Sequence, residues 1–293
     1  MTKFCIPNYL IFFMYLCSRK QNEKMKNAKV LFISQEITPY LPETEMSVIS
    51  RNLPQGIQER GREIRTFMPK YGRINERRNQ LHEVIRLSGM NLIINDADHP
   101  LIIKVASIQS ARMQVYFIDN EDYFHRKSIL TDEQDIYFPD NDERALFFAK
   151  GVLETVKKLR WSPDIIHCHG WFTSFVPLYI KEVYFDNPLF ANSKVVFSVY
   201  NDEFRGSLHK QIRNKLAFDG IESKTLDIIK TPNYTSLTKL AIKNSDAVVQ
   251  GSPKINPEIT EYLQKSKKPV LLHAADENFI DSYCTFYDKL LET

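Results

Sequence analysis

The sequence predicts an α/β fold built on a mostly parallel sheet, and three observations carry that reading. Short apolar or β-branched runs recur along the chain with helical segments between them. The first of these, Val30–Ser34, is continuously apolar, as a strand covered on both faces by crossover helices should be. The alternation breaks once, between His82 and Ile118, where consecutive strand-like stretches succeed one another across turn residues.

Taken in order, Val30–Ser34 is the first strand. Val48, Leu53 and Ile57 have helical spacing and predict a helix over Ser47–Arg60, stopped by Gly61, while Pro54 inside it predicts a kink or a late start. Ile64–Met68 is the second strand, closed by Pro69. His82–Ile94 and Leu101–Ile108 read as two strands joined by the turn-forming Asn95–Pro100 stretch, with Gln114–Ile118 as a third, giving a β-meander inserted into the α/β frame. Alternation resumes with a helix over Asp140–Leu159, a strand over Asp164–Cys168, a helix over Phe172–Val183 and a strand over Lys194–Tyr200. The polar segment 206–235 reads as loop with short helices. Ser236–Lys243 and Pro257–Gln264 are helices, and Ala247–Gln250 and Val270–Leu272 are strands; the residues after Leu272 are too few for another βαβ unit.

Composition narrows the function. Only nine of 293 residues are glycine, none adjacent and none spaced G-x-G. That excludes the dinucleotide-binding G-x-G-x-x-G and the G-x-x-x-x-G-K-[ST] phosphate loop, both of which need backbone without Cβ atoms close to phosphate. The length suits one large domain or two small ones. A net charge of +3 is too small for a nucleic-acid binder, and the basic runs Arg73–Arg78 and Lys265–Lys268 read as solvated faces. Cys5, Cys17, Cys168 and Cys284 form no C-x-x-C pair, which fits free thiols in a reducing, cytoplasmic compartment. Near the amino terminus, Tyr9–Cys17 is apolar but much shorter than the ~20 residues of a membrane span, and no small-x-small cleavage site comes after it. We therefore read residues 1–24 as an extension outside the fold, Met25 as the start, and 25–293 as a single domain with no stable membrane association.

In an open parallel sheet, ligands bind beyond the carboxyl ends of the strands. This directs attention to Ser34–Leu41, His167–Trp171, Tyr200–Phe204 and Leu272–Asp276. His167 and His169 lie two apart and share a face if the strand continues. With Cys168 they invite a metal reading, but no fourth ligand is spaced nearby. The alternatives are a strand end with one packed and one cleft-facing imidazole, or a ligand-contacting His169 with Trp171, whose flat apolar face suits the C–H face of a pyranose. No G-x-S-x-G occurs and Cys168 has only sequence-adjacent histidines, so no nucleophile is supported. No cofactor is assigned.

A set of ordered motifs goes further. Lys29-Val-Leu-Phe-Ile-Ser-Gln-Glu36 with Thr38-Pro-Tyr40, Gly61-Arg-Glu-Ile-Arg65 with Met68-Pro-Lys-Tyr-Gly72, and Asp140-Asn-Asp-Glu-Arg144 resemble bacterial glycogen and starch synthases. Pro163-Asp-Ile-Ile-His-Cys-His-Gly-Trp171, Lys194-Val-Val-Phe-Ser-Val-Tyr-Asn201 and Ser245-Asp-Ala-Val-Val-Gln-Gly-Ser-Pro253 continue the resemblance, which runs from about Lys29 to Asp276. It implies the amino-terminal, Rossmann-like half of a two-domain GT-B glycosyltransferase that moves glucose from ADP-glucose to an α-1,4-glucan. The amino-terminal half carries much of the acceptor side and the other half most of the nucleotide-sugar site.

The departures from that family are systematic. Its Lys-Thr-Gly-Gly-Leu loop aligns with Pro42, Glu43, Thr44, Glu45 and Met46, and an Asp just beyond it with Val48. The Asp of its His-Asp-Trp becomes Gly170, the His of its Thr-Ile-His-Asn becomes Tyr200, and its Asn-Gly before the hinge becomes His273-Ala274. The donor-binding second domain has no counterpart in this sequence. The resemblance then implies a catalytically incomplete domain that binds α-glucan or a full-length synthase. His169, Trp171, Tyr200, Asn201, Asp276 and, from a similarly placed tyrosine in Asp122-Tyr-Phe-His-Arg126, Tyr123 would line what remains of the acceptor cleft. Two alternatives stay open: glucosyl transfer completed by a donor domain in trans, and a re-purposed α/β module with no carbohydrate link.

Overall fold

The computed structural model describes residues 28–273 and 278–293. The extension read over 1–24, its boundary at Met25, and Ala274 and Asp276 lie outside the described residues.

The strands are β1 (Lys29–Ser34), β2 (Glu63–Pro69), β3 (His82–Glu83), β4 (Met90–Ile94), β5 (Ala97–Ile108), β6 (Met113–Asp119), β7 (Ile165–His169), β8 (Lys194–Val199), β9 (Ala247–Gln250) and β10 (Val270–Leu271). They lie in the order β10-β9-β8-β7-β1-β2-β6-β5-β3, with β4 paired to β5. From β10 to β6 every pairing is parallel; β5 runs antiparallel to β6, β4 and β3. The chain is thus an α/β domain with a parallel sheet and one antiparallel insertion, as the sequence predicts.

The helices are α1 (Glu45–Glu59), α2 (Glu121–Phe124), α3 (Asn141–Lys158), α4 (Phe175–Glu182), α5 (Ile212–Phe218), α6 (Tyr234–Lys243), α7 (Pro257–Ser266) and α8 (Phe279–Leu291). Among the described residues none is long and apolar enough to cross a membrane. Alternate residues of β1 enter two cores. Leu31 and Ile33 join the larger one, with Leu146, Phe147 and Val152 of α3 and Val176 and Leu178 of α4. Val30 and Phe32 join a smaller one, with Leu53 and Ile57 of α1 and Tyr283, Tyr287 and Leu290 of α8. Burial on both faces is why β1 reads as an unbroken apolar run.

Several elements differ from the sequence reading. Helix α1 begins earlier than Ser47 and runs through Pro54, because a reciprocal capping box between Thr44 and Ser47 fixes its start. It ends as expected: Gly61, at φ +88°, closes a Schellman turn in which Gly61 N–H donates to Gln58 O and Arg62 N–H to Ile57 O. His82–Ile94 is not one strand. The Val84 carbonyl accepts from the N–H groups of Leu87 and Ser88 in a local turn, and pairing resumes at Gly89, at φ +82°, whose N–H donates to Leu101 O at 3.0 Å. The predicted Asn95–Pro100 turn shrinks to Asn95-Asp96, both left-handed, so His99 and Pro100 belong to β5.

Helix α8 has no counterpart in the sequence reading. Phe279, Ile280, Tyr283, Tyr287 and Leu290 form its apolar stripe, and Gly56 of α1 admits Ile280 so closely that a Cβ there would sit 2.1 Å from Ile280 Cδ1. Arg60 donates to Asp281 and Arg62 to Asp288, each at 2.7 Å, fastening α8 to α1 and to the start of β2.

Candidate functional site

The carboxyl ends of β1, β7, β8 and β9 converge on the region the sequence singles out. On β7 the alternation puts His167 and His169 on the α1–α8 face, with ring centroids 4.1 Å apart, and Cys168 on the other face in the larger core. All three are buried. Tyr287 OH of α8 lies 2.6 Å from His167 Nδ1, and Ser198 Oγ of β8 lies 2.7 Å from its Nε2. Tyr200 OH lies 2.8 Å from His169 Nδ1. Burial pushes the His169 imidazole down to about 3 and that of His167 well below the usual histidine range, with His169 adding to the depression. Neutral His167 is thus held between two hydroxyls, whereas neutral His169 has one hydroxyl on Nδ1 and a buried Nε2 without a partner among the described residues. Among the described residues no three His, Cys, Asp or Glu side chains converge as metal ligands would.

The remaining candidates serve different ends. Trp171 is 2% exposed, with its ring 4.6 Å from Phe204 and edge-on to Phe172, so no face is open to a sugar. Tyr200 is buried; its ring fills the space beside Gly251, where a Cβ would stand 2.6 Å from Tyr200 Cε1. Asn201 is exposed and its N–H donates to Ser252 Oγ at 3.0 Å. Tyr123 is buried in a separate group on α2. Its OH donates to Glu143 Oε2 at 3.0 Å and lies 3.0 Å from His99 Nε2. The structure therefore brings His169, Trp171, Tyr200 and Asn201 together at the strand ends and does not join Tyr123 to them. Of the four, only Asn201 is exposed; His169, Trp171 and Tyr200, like Tyr123 in its separate group, are buried and used in packing.

What covers them is the amino end of α1. A Cβ on Gly170, which has φ +76°, would meet Met46 Cε at 2.5 Å and Asp202 Oδ2 at 2.7 Å. Met46 is buried, Glu45 accepts from Ser252 Oγ, and Thr44 Oγ1 donates to Glu36 Oε2 at 2.8 Å. Residues 44–46 are thus tied to the segments after β1, β7 and β9. Asp202 Oδ2 accepts from Trp171 N–H at 2.9 Å, and its Oδ1 accepts from Tyr234 OH at 3.1 Å. Burial, reinforced by Glu36, raises its carboxyl to about 7.

That shift has a measurable consequence. The folded form holds the Asp202 proton up to about pH 7 while the unfolded chain releases it near 4, so this group's contribution is lost as pH rises through that window. Asp202→Asn is expected to stabilise the protein by about 1–3 kcal/mol at pH 8 and to make little difference at about pH 3.5, where both states hold the proton. Thermal melts at the two pH values check it; equal gains at both would remove the charge as the cause.

Beside this closed region lies an open cavity of about 600 Å³, lined by Phe204, Arg205, Asn233, Tyr234, Asn256 and Glu258 among others. The sequence reading missed most of these residues. Asn233 and Asn256 were legible as the amino caps of α6 and α7, accepting from Ser236 N–H and Glu258 N–H. That both caps open onto one cavity depends on the sheet order.

The starch synthase catalytic domain family model matches residues 29–271. The chain belongs to that family. Among its relatives, the glycogen synthase of Chlorobium luteolum is 36% identical over 220 residues, 68% of this chain and 44% of that protein. That of Chlorobium phaeovibrioides is 35% identical over 236 residues, 80% of this chain and 48% of that protein. This starch synthase-type chain thus spans about half the length of the glycogen synthases it matches. In fold it resembles the catalytic domain of starch synthase IV from Arabidopsis thaliana, determined with ADP and acarbose. The TM-score is 0.68 and the identity 19%, over 84% of this chain and 52% of that one.

Proposed function

We propose that this starch synthase-type domain is catalytically incomplete and serves to bind α-glucan, or a partner synthase, rather than to extend polymer. The observation that carries the reading is the Thr44–Met46 segment packed over Gly170 and hydrogen-bonded to Glu36 and Ser252. Glucosyl transfer needs preorganised donors around a departing diphosphate. Where the family resemblance puts a lysine and two glycines, this chain has Pro42, Thr44 and Glu45, and Glu36 adds a carboxylate whose charge disfavours phosphate. The open cavity beside Phe204 and Tyr234 supplies aromatic edges with amide, guanidinium and carboxylate groups, a mixture suited to sugar hydroxyls.

Two assays test this. Purified chain with radiolabelled ADP-glucose and glycogen is expected to incorporate no label; incorporation by the chain alone would overturn the proposal. In glycogen co-sedimentation the wild type is expected to pellet, and Arg205→Ala with Asn256→Ala to weaken binding about tenfold, as for two lost polar contacts. A second reading, transfer completed by a donor domain in trans, draws on the half-length match to the glycogen synthases. Label incorporated only after lysate of the source cell is added would favour it. Absence of glycogen binding by the wild type would favour an interaction module without a carbohydrate ligand.

A further inference from the structure

A second cavity, also about 600 Å³, opens at the other end of the sheet, where β2 and β6 begin. Its wall includes Gln58, Arg62, Arg65, Ser107, Arg112 and Gln114, and Gln58 and Arg112 continue into an adjoining hollow of about 450 Å³. Three guanidinium groups here face one lining carboxylate, Glu63. That carboxylate already accepts from Trp161 Nε1 at 2.6 Å and has Lys29 Nζ at 3.9 Å and Arg65 Nη2 at 4.0 Å.

The guanidinium groups are not fully paired. Arg62 is 6% exposed; its Nη2 donates to Asp288 at 2.7 Å, while its buried Nη1 has no partner among the described residues. Arg65 donates through Nη1 to Tyr116 OH at 2.6 Å and lies 5.1 Å over the Trp161 ring, leaving its buried Nε without a partner among the described residues. Arg112 is exposed, with no carboxylate in ion-pair range among the described residues. A buried guanidinium nitrogen without an acceptor is unfavourable, and an oxyanion is the acceptor its planar fork fits. The carboxyl end of α1 does not oppose this, because its last carbonyls accept from Gly61 and Arg62 N–H groups.

We propose that this cavity binds a small phosphate monoester on a sugar-sized, hydroxylated body. Three guanidinium groups match the three terminal oxygens of a phosphate better than the two of a carboxylate. Gln58, Ser107 and Gln114 supply donors and acceptors for hydroxyl groups. The volume lies within the range of small-molecule sites. The site lies at the opposite end of the strands from the residues in the proposed function, so either can fail without the other.

Calorimetric titration of the full chain with inorganic phosphate, a hexose 6-phosphate and the unphosphorylated hexose tests the assignment. The hexose phosphate is expected to bind more tightly than inorganic phosphate, and the free hexose not at all. Arg112→Ala should weaken hexose phosphate binding at least about tenfold and Arg112→Lys less, because lysine keeps the charge but loses the fork. Arg112 is exposed, so melting temperature and glycogen sedimentation should not change in either variant. No binding of either phosphate probe, a hexose phosphate no tighter than inorganic phosphate, or affinity unaltered in Arg112→Ala would each overturn the proposal.

Discussion

His167→Ala is expected to destabilise the fold by about 3–5 kcal/mol in urea denaturation at pH 7. The substitution leaves the Tyr287 and Ser198 hydroxyls buried without the imidazole that partners them, and it opens a cavity beneath α8. Tyr287→Phe, which removes one hydroxyl and keeps the ring, should cost about 1–2 kcal/mol. The pH dependence arises from the same burial. Both imidazoles stay neutral in the folded chain, whereas unfolded histidines take up protons near pH 6.5. The unfolded state then binds up to two more protons, so stability falls as pH drops below about 6.5, by up to about 1.4 kcal/mol per pH unit for each histidine. Asp202 acts in the opposite sense, since its folded form gains a proton as pH falls through about 7. Between about pH 4 and 6.5 these three groups give the wild type a net slope of about one proton, and Asp202→Asn about two. Urea titrations at several pH values read these slopes directly. A wild-type slope matched by a His167→Gln, His169→Gln double variant would sink the neutral-imidazole account.

The parallel frame was legible because strands buried on both faces carry their signal locally. Val30–Ser34 and Ala247–Gln250 are recognisable with no knowledge of their neighbours. The meander was visible too, but not its breaks, since whether the Val84 carbonyl accepts from a turn or from a ladder depends on Leu87 finding a place in the core. Helix α8 has a readable stripe, yet its fate rests on a surface made by α1, β1 and β7 far earlier in the chain. The candidate site divides in the same way. Position at the strand ends was legible for His169, Trp171, Tyr200 and Asn201; exposure was not. A tryptophan suited to a sugar and one packed on Phe204 look alike in sequence, and Phe204 reaches Trp171 only through the β7–β8 pairing.

Gly170→Ala is expected to destabilise the domain by about 2–4 kcal/mol, from a left-handed backbone that a Cβ disfavours and from overpacking against Met46 and Asp202. Met46→Ala alone removes a buried side chain and should cost about 2–3 kcal/mol. If Met46 fills the space above Gly170, the two changes cannot add, because the smaller residue at 46 admits the new methyl group. The double variant should then recover at least about 1 kcal/mol relative to the sum, the backbone part of the glycine effect remaining. The family resemblance sets an aspartate where this chain has Gly170 and a glycine where it has Glu45. A side chain at 170 and a closed Thr44–Met46 segment exclude one another, so the two departures belong together. Gly170→Asp should accordingly destabilise more than Gly170→Ala while Met46 is present, and Met46→Ala should narrow that difference. Strict additivity in the Gly170–Met46 cycle would mean that the segment lies over the strand ends without packing on them, and the closed-cleft account would lose its physical basis.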